Sequence, residues 1–415
     1  MSKVEQLMTQ KRTYLFIHQN MPAQFLHLCR YLRDHGHRVV FITRNKTNHL
    51  QGVTKVSYET TRGPHKDSHV YLRAAEDGVL HGQAVFRAIK QQLGPNFKPD
   101  IVIGHAGWGE MLLVKEAFPD VPVLSYFEFF YRSRGQDLGF DSEYMPDLDT
   151  MLATPIKNTI NLLSGEACDW GLTPTRWQFS TYPTGIQSKM SVIHEGVDTQ
   201  AIRPKDDASF TTPSGKVLKA GQKIVTFVAR NLEPYRGFHI FMRALPEIQR
   251  RHPDAEILIV GSEGTSYGRK LPEGDSYKKR MLAEVSFDPE TVHFTGHLDT
   301  PRFREVMQVS SAHIYLTYPF VLSWSMLEAM ASGCLLIGSR TAPVEEVLID
   351  GRNGLLVDFF DRQGLVDRIC EALAKPERFI EMRRAARETV VAHYDLRSHC
   401  LPRQLGLIAH LIGSR

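Results

Sequence analysis

A chain of 415 residues, 42% of them hydrophobic, is long enough for two packed cores and too long for one ordinary domain. A formal charge of +4 with no long run of like charges argues against a nucleic-acid surface, and leaves a peripheral contact with anionic lipid open but unsupported. The cysteines, Cys29, Cys168, Cys334, Cys370 and Cys400, lack both Cys-x-x-Cys spacing and a His partner pattern, which argues against a zinc site and a disulfide framework. Residues 1–12 are polar and lack the apolar core of a signal peptide. No window approaches the ~20 apolar residues of a membrane span, so a cytoplasmic protein is expected.

Residues 13–18 form a short apolar run, followed by a polar turn and an amphipathic helix over 22–35 that Gly36 ends. Further strands are expected at 37–43, 100–104 and 121–126, with helical stretches between them. Repeated strand, turn and helix implies a mostly parallel sheet with helices on both faces. A long helix over 148–165 leads to the segments 170–174 and 190–198. Residues 199–221 show neither helical nor strand period and hold the interdomain connection. The second half restarts with strands at 223–229, 256–260, 292–295 and 313–318. Helices are expected at 237–251, 275–285, 300–309, 363–374 and 376–393, with a last amphipathic one at 398–412. The resulting division is an N-terminal domain over 1–205, a linker over 206–220, a C-terminal domain over 221–395 and a terminal helical segment over 396–415.

Residues 318–358 are the most informative stretch. A strand ending near Tyr318 runs into a polar turn, a helix opens around Ser323 to Ser325, and Gly333 stops that helix before a second buried strand at 335–339. Such a geometry aims free backbone N–H groups at an anion. The segment resembles the donor-binding signature of retaining glycosyltransferases of family 4, in which a Glu, seven residues and a second Glu precede Ala-Met-Ala-Ser/Cys-Gly. Glu328 matches the second Glu, which the resemblance assigns to the ribose hydroxyls of the donor. Phe320 stands where the first Glu would approach the donor sugar. That exchange has two readings, a chain that no longer turns over or a variant subgroup, and the surviving phosphate machinery favours the second. Ser323, Trp324 and Ser325 join Glu328 as donor contacts. Ser325-Met-Leu-Glu328 also fits a capping box, in which Glu328 satisfies the N-cap amide and touches no ligand.

The stretch Phe227-Val-Ala-Arg-Asn-Leu-Glu-Pro-Tyr-Arg-Gly-Phe238 looks like the family's Gly-Arg…Glu-Lys-Gly element, with Ala229 for the Gly and Arg236 for the Lys. The resemblance implies that Arg230 and Arg236 hold the donor diphosphate. Breaking the anomeric C–O bond of a nucleotide sugar pushes negative charge onto the departing diphosphate, and fixed cations that strengthen with that charge lower the barrier without a metal. Val292-His-Phe-Thr-Gly-His-Leu298 resembles the strand and Gly turn that meet the nucleobase, which implicates Gly296, His297 and Leu298. His105, at the end of the strand Ile101-Val-Ile-Gly-His, matches a His the family keeps near sugar and acceptor; a packed His bonding a neighbouring loop is the alternative. A strand end in an open sheet is a ligand-facing address.

Gln19 and Asn20, in a turn without the family's usual glycines, either bond the donor phosphate or acceptor or serve only the turn. Tyr126-Phe-Glu-Phe-Phe-Tyr-Arg-Ser-Arg134 mixes aromatics with Glu128, Arg132 and Arg134, which suits an acceptor sugar or ordinary packing between domains. Asp147-Leu-Asp149 imitates an Asp-x-Asp metal motif, but it precedes a helix, where acidic residues are favoured anyway. A phosphate-loop motif is absent from the sequence.

The resemblance implies an α/β chain of GT-B fold, two doubly wound Rossmann-like domains facing across a cleft, with the C-terminal helix crossing back to the N-terminal domain. Its implied activity is transfer of a sugar from a nucleoside diphosphate sugar, a UDP-sugar being favoured, to a hydroxyl of a glycan, lipid-linked or small-molecule acceptor. Retention is inherited from the family, and no metal or separate cofactor is expected. His105, Arg230, Arg236 and Glu328 are the expected catalytic set; Asn20, Gly296, His297, Leu298, Ser323, Trp324, Ser325 and Glu328 are the expected donor contacts. A nucleotide-sugar epimerase and a non-catalytic nucleotide-sugar or glycan binder are the alternatives.

Overall fold

The computed structural model describes residues 10–413; the polar stretch read at residues 1–9 lies outside them. The described residues form two compact units, one running to Gly196 and resuming at Arg397, the other spanning Val197–Leu396.

The first unit is built on seven parallel strands, β1 (Thr13–Ile17), β2 (Arg38–Thr43), β3 (Thr54–Ser57), β4 (Ile101–His105), β5 (Val123–Tyr126), β6 (Trp170–Thr173) and β7 (Met190–Val192), in the order β3-β2-β1-β4-β5-β6-β7. Strands β1 and β4 lie at the centre and are buried almost throughout, which is why both read as unbroken apolar runs. The edge strand β3 buries only Val56 and has no such signature. The single helix expected over 148–165 is two, Leu148–Lys157 and Thr159–Ala167. Asn158 stands at the break, where its side chain both accepts from Tyr131 N and donates to Tyr131 O. Helix Leu401–Gly413 belongs to this unit, and Gln404 Nε2 donates to His194 O at 2.9 Å.

The second unit opens with an antiparallel hairpin, β8 (Ser209–Thr211) and β9 (Val217–Lys219), within the stretch expected as a linker. Its Phe210 and Leu218 are buried in a cluster with Leu258 and Val306. The hairpin precedes six parallel strands, β10 (Ile224–Asn231), β11 (Glu256–Ser262), β12 (Val292–Gly296), β13 (Ala312–Tyr315), β14 (Leu336–Ser339) and β15 (Leu355–Val357), in the order β12-β11-β10-β13-β14-β15. In each sheet the order reverses beside the first strand, between β1 and β4 and between β10 and β13. The crevice at the carboxyl ends of such neighbours is where open α/β sheets take ligands. All five cysteines are buried and none forms a disulfide, and no helix among the described residues is long and apolar enough to cross a membrane.

Candidate functional site

In the second unit the carboxyl ends of β10 and β13 carry most of the residues the sequence singled out. Arg230 is exposed near the end of β10, and its side chain has no hydrogen bond or ion pair with any described residue. Arg236 is different. It is buried in the short 3-10 turn Pro234–Arg236, and its Nη1 donates to Thr317 Oγ1 (2.8 Å), Val321 O (3.0 Å) and Tyr315 Oη (3.2 Å). Arg236 therefore ties the loop after β10 to the turn after β13. Gly237 next to it has φ +68°, and a Cβ there would lie 2.4 Å from Leu316 Cβ, so the tight entry into helix Phe238–Arg251 requires glycine.

The Tyr315 hydroxyl extends the same network by accepting from Ser323 N at 2.7 Å. Ser323 is the N-cap of helix Trp324–Ala331, accepting from Ser325 N, and its hydroxyl lies 3.0 Å from that of Ser325. The capping box read at Ser325 is thus displaced: the cap sits two residues earlier, and Glu328 lies beyond the position from which it could reach back. Glu328 is half-buried, and its carboxylate has no hydrogen bond or ion pair with a described residue. Burial pushes its pKa above the ordinary carboxylate value, partly offset by the charge of Arg304. Trp324 is exposed, and Gly333 ends the helix with φ +76°.

Phe320 is buried, with its ring 4.9 Å from Tyr267 and 5.6 Å from Tyr235 between centroids. The position where the resemblance expects a carboxylate is therefore part of an aromatic cluster that continues through Tyr318 to Phe359. Gly296 (φ +69°), the last residue of β12, and His297 after it are exposed, while Leu298 is half-buried and packs against the hairpin cluster.

Glu233 was not anticipated. It is fully buried, and its carboxylate accepts from Ser266 N (3.0 Å), Tyr267 N (3.2 Å) and Gly268 N (2.8 Å). These bonds hold the loop that places the Tyr267 ring 5.5 Å from the Arg236 guanidinium. Nothing in the spacing of Glu233 marks it, because its three partners lie over thirty residues away.

In the first unit, His105 ends β4 and is buried, with its ring stacked 3.8 Å from Trp108 at 9°. His18, just after β1, is buried and crosses His105 edge-on at 5.1 Å; burial, then the charge of His105, push its pKa well down. Tyr126 donates to Glu195 in a short hydrogen bond, and burial raises its pKa. Asn20 is exposed, with its backbone N–H on His18 Nδ1 at 2.8 Å. Arg132 Nη2 donates to Thr181 O at 3.0 Å, and Arg134 is exposed. Asp147 is the N-cap of helix Leu148–Lys157 and Asp149 accepts from Tyr71 Oη, so both acids of the imitation metal motif have structural partners.

Two parallel-sheet α/β units of this kind define a GT-B protein. Residues 35–202 match the model of the glycosyl transferase family 4 group, and residues 222–375 match that of the glycosyl transferases group 1. The chain belongs to the group 1 glycosyltransferases. Spore coat protein SA of Bacillus subtilis is 29% identical over 207 residues, 48% of this chain and 53% of that protein, so the match spans about half of that relative. Glycogen synthase of Mycobacterium tuberculosis is 27% identical over 385 residues, 89% of this chain and 86% of that protein. Among solved structures, a sucrose-phosphate synthase from Thermosynechococcus elongatus superposes with a TM-score of 0.72 at 16% identity, covering 98% of this chain and 100% of that one. Anabaena HepE in complex with UDP-glucose gives 0.67 at 14% identity, covering 97% and 100%.

Proposed function

We propose that this chain moves a sugar from a nucleoside diphosphate sugar to a hydroxyl of a glycan, lipid-linked or small-molecule acceptor, with retention at the anomeric carbon. The observation that carries this reading is the Glu328 carboxylate, half-buried without a partner among the described residues, on the helix that bears the donor signature. A carboxylate so placed lacks hydrogen-bond donors among the described residues until a ligand brings them, and the two ribose hydroxyls of a nucleotide are such donors. Arg230 supplies the cation for the diphosphate, while Arg236 braces the turn that carries the N-terminus of helix Trp324–Ala331. Positive charge and helix amides at this corner meet the charge that develops on the leaving group, so the reading needs no metal. A UDP-sugar is the favoured donor, in keeping with the UDP-glucose held by the similar Anabaena protein.

The test is a thermal-shift series with uridine, guanosine and adenosine diphosphate sugars, which raise the melting temperature if they bind the folded state. Arg230→Ala is expected to abolish the shift. Unchanged binding and turnover in that variant would overturn the phosphate assignment. A second reading, a binder without turnover, is favoured by Phe320 in its aromatic cluster; donor binding with no product across an acceptor panel would select it.

A further inference from the structure

We propose that His105 and Glu128 together form a recognition site for one hydroxyl of a neutral polyol, with Glu128 as an acceptor-binding residue. The inference rests on the transferase reading for its substrate class and adds the residue pair and the ligand chemistry.

The imidazole tautomer is fixed by the main chain. Gly107 N donates to His105 Nδ1 at 3.0 Å, so Nδ1 presents a lone pair and the proton resides on Nε2. That Nε2–H is buried and has no hydrogen-bond acceptor. The ring cannot turn to find one, because Trp108 stacks on it at 3.8 Å and His18 crosses its edge. Even Gly107 is fitted to it: a Cβ there would lie 2.9 Å from His105 Cε1.

Glu128 follows β5, with its backbone carbonyl anchored by Gln178 Nε2 at 2.7 Å. Its Oε2 lies 3.5 Å from His105 Nε2, near but not aligned as a hydrogen bond, and the side chain is 33% exposed against 1% for His105. No other hydrogen bond or ion pair engages this carboxylate among the described residues. Tyr126, the neighbouring hydroxyl, is committed to Glu195.

A fixed donor and a carboxylate acceptor thus stand side by side, one buried and one reaching solvent. The group that satisfies both must accept one hydrogen bond and donate another. An anion would meet the carboxylate, and a cation would meet the N–H. A carbonyl could accept but not donate. An alcohol hydroxyl does both, and bonds to the charged partner are the stronger kind.

The experiment uses the full chain labelled with nitrogen-15 at histidine, with His105 assigned by loss of its signal in His105→Gln. Methyl α-glucopyranoside, methyl α-mannopyranoside and methyl α-galactopyranoside are titrated in turn. The expected result is a free His105 in the Nε2–H tautomer whose Nε2 resonance moves with at least one glycoside. Glu128→Gln should keep that tautomer and weaken the glycoside Kd about tenfold or more, the scale of losing one charged hydrogen bond. No movement with any of the three, or Glu128→Gln and Glu128→Ala titrating like the parent, would overturn the proposal. UDP-glucose is titrated separately by thermal shift: a lost donor response with the glycoside response kept counts against the transferase reading and for the hydroxyl site.

Discussion

Arg236 Nη1 and the carbonyl oxygen of Val321 lie 3.0 Å apart, so one nitrogen of a cation expected to meet a diphosphate is engaged within its own chain. Arg230, six residues earlier, is the exposed and unengaged one. The two arginines should separate on mutation. Arg236→Ala strands three acceptors and is expected to cost about 3 kcal/mol of stability. Arg230→Ala should leave stability within about 0.5 kcal/mol while weakening donor binding tenfold or more. Urea unfolding beside donor titration checks both, and equal stability losses would refute the division.

Glu328 makes donor binding depend on acidity. Its folded pKa is raised by burial, so the free protein favours the protonated form more than the unfolded chain does. Its linkage term therefore contributes stability below the unfolded value of 4.5 and loses it as pH rises through the higher folded value. A nucleotide whose hydroxyls donate to the carboxylate prefers the ionised form. Donor affinity should accordingly decline as pH falls through the raised pKa, and Glu328→Gln should bind weakly with no such decline. Calorimetric titration at stepped pH measures this.

Glu233 should behave as a brace. Replacing it with Gln leaves an amide facing N–H donors where the carboxylate accepted three of them, at an expected cost of about 2 kcal/mol. Limited proteolysis should show earlier cleavage around 266–268, and an unchanged cleavage pattern would argue against the brace.

His313, buried in β13, has its pKa pushed down from 6.5 to about 3 by burial. The folded chain holds it neutral while the unfolded chain takes up a proton, so its stability contribution is full above 6.5 and is lost as pH falls towards 3. In His313→Gln the acid slope of unfolding free energy should be shallower by up to ~1.4 kcal/mol per pH unit over that window. Denaturant melts across the window test it.

The doubly wound plan was legible because strands buried on both faces, such as β1 and β10, read as continuous apolar runs, with glycines marking several of the tight turns. Edge elements were not: β3 buries one residue, Val56, and the hairpin strands β8 and β9 bury one each. Pro155 and Asn158 gave no clear sign that the helix breaks at Asn158, since Asn158 is fixed by Tyr131, distant in sequence. At the site, Arg230 and Glu328 were visible through a resemblance carried by short motifs. Glu233 and the Tyr315 hydroxyl were not, because their work is done for groups brought near only by folding.

The bond from Gly107 to His105 also governs how variants can be interpreted. Since the Gly107 amide already dictates which ring nitrogen holds hydrogen, exchanging Glu128 is expected to keep the same tautomer. A change made across from the ring alters what a visitor meets, while the ring keeps the hydrogen on the same nitrogen and reports the difference.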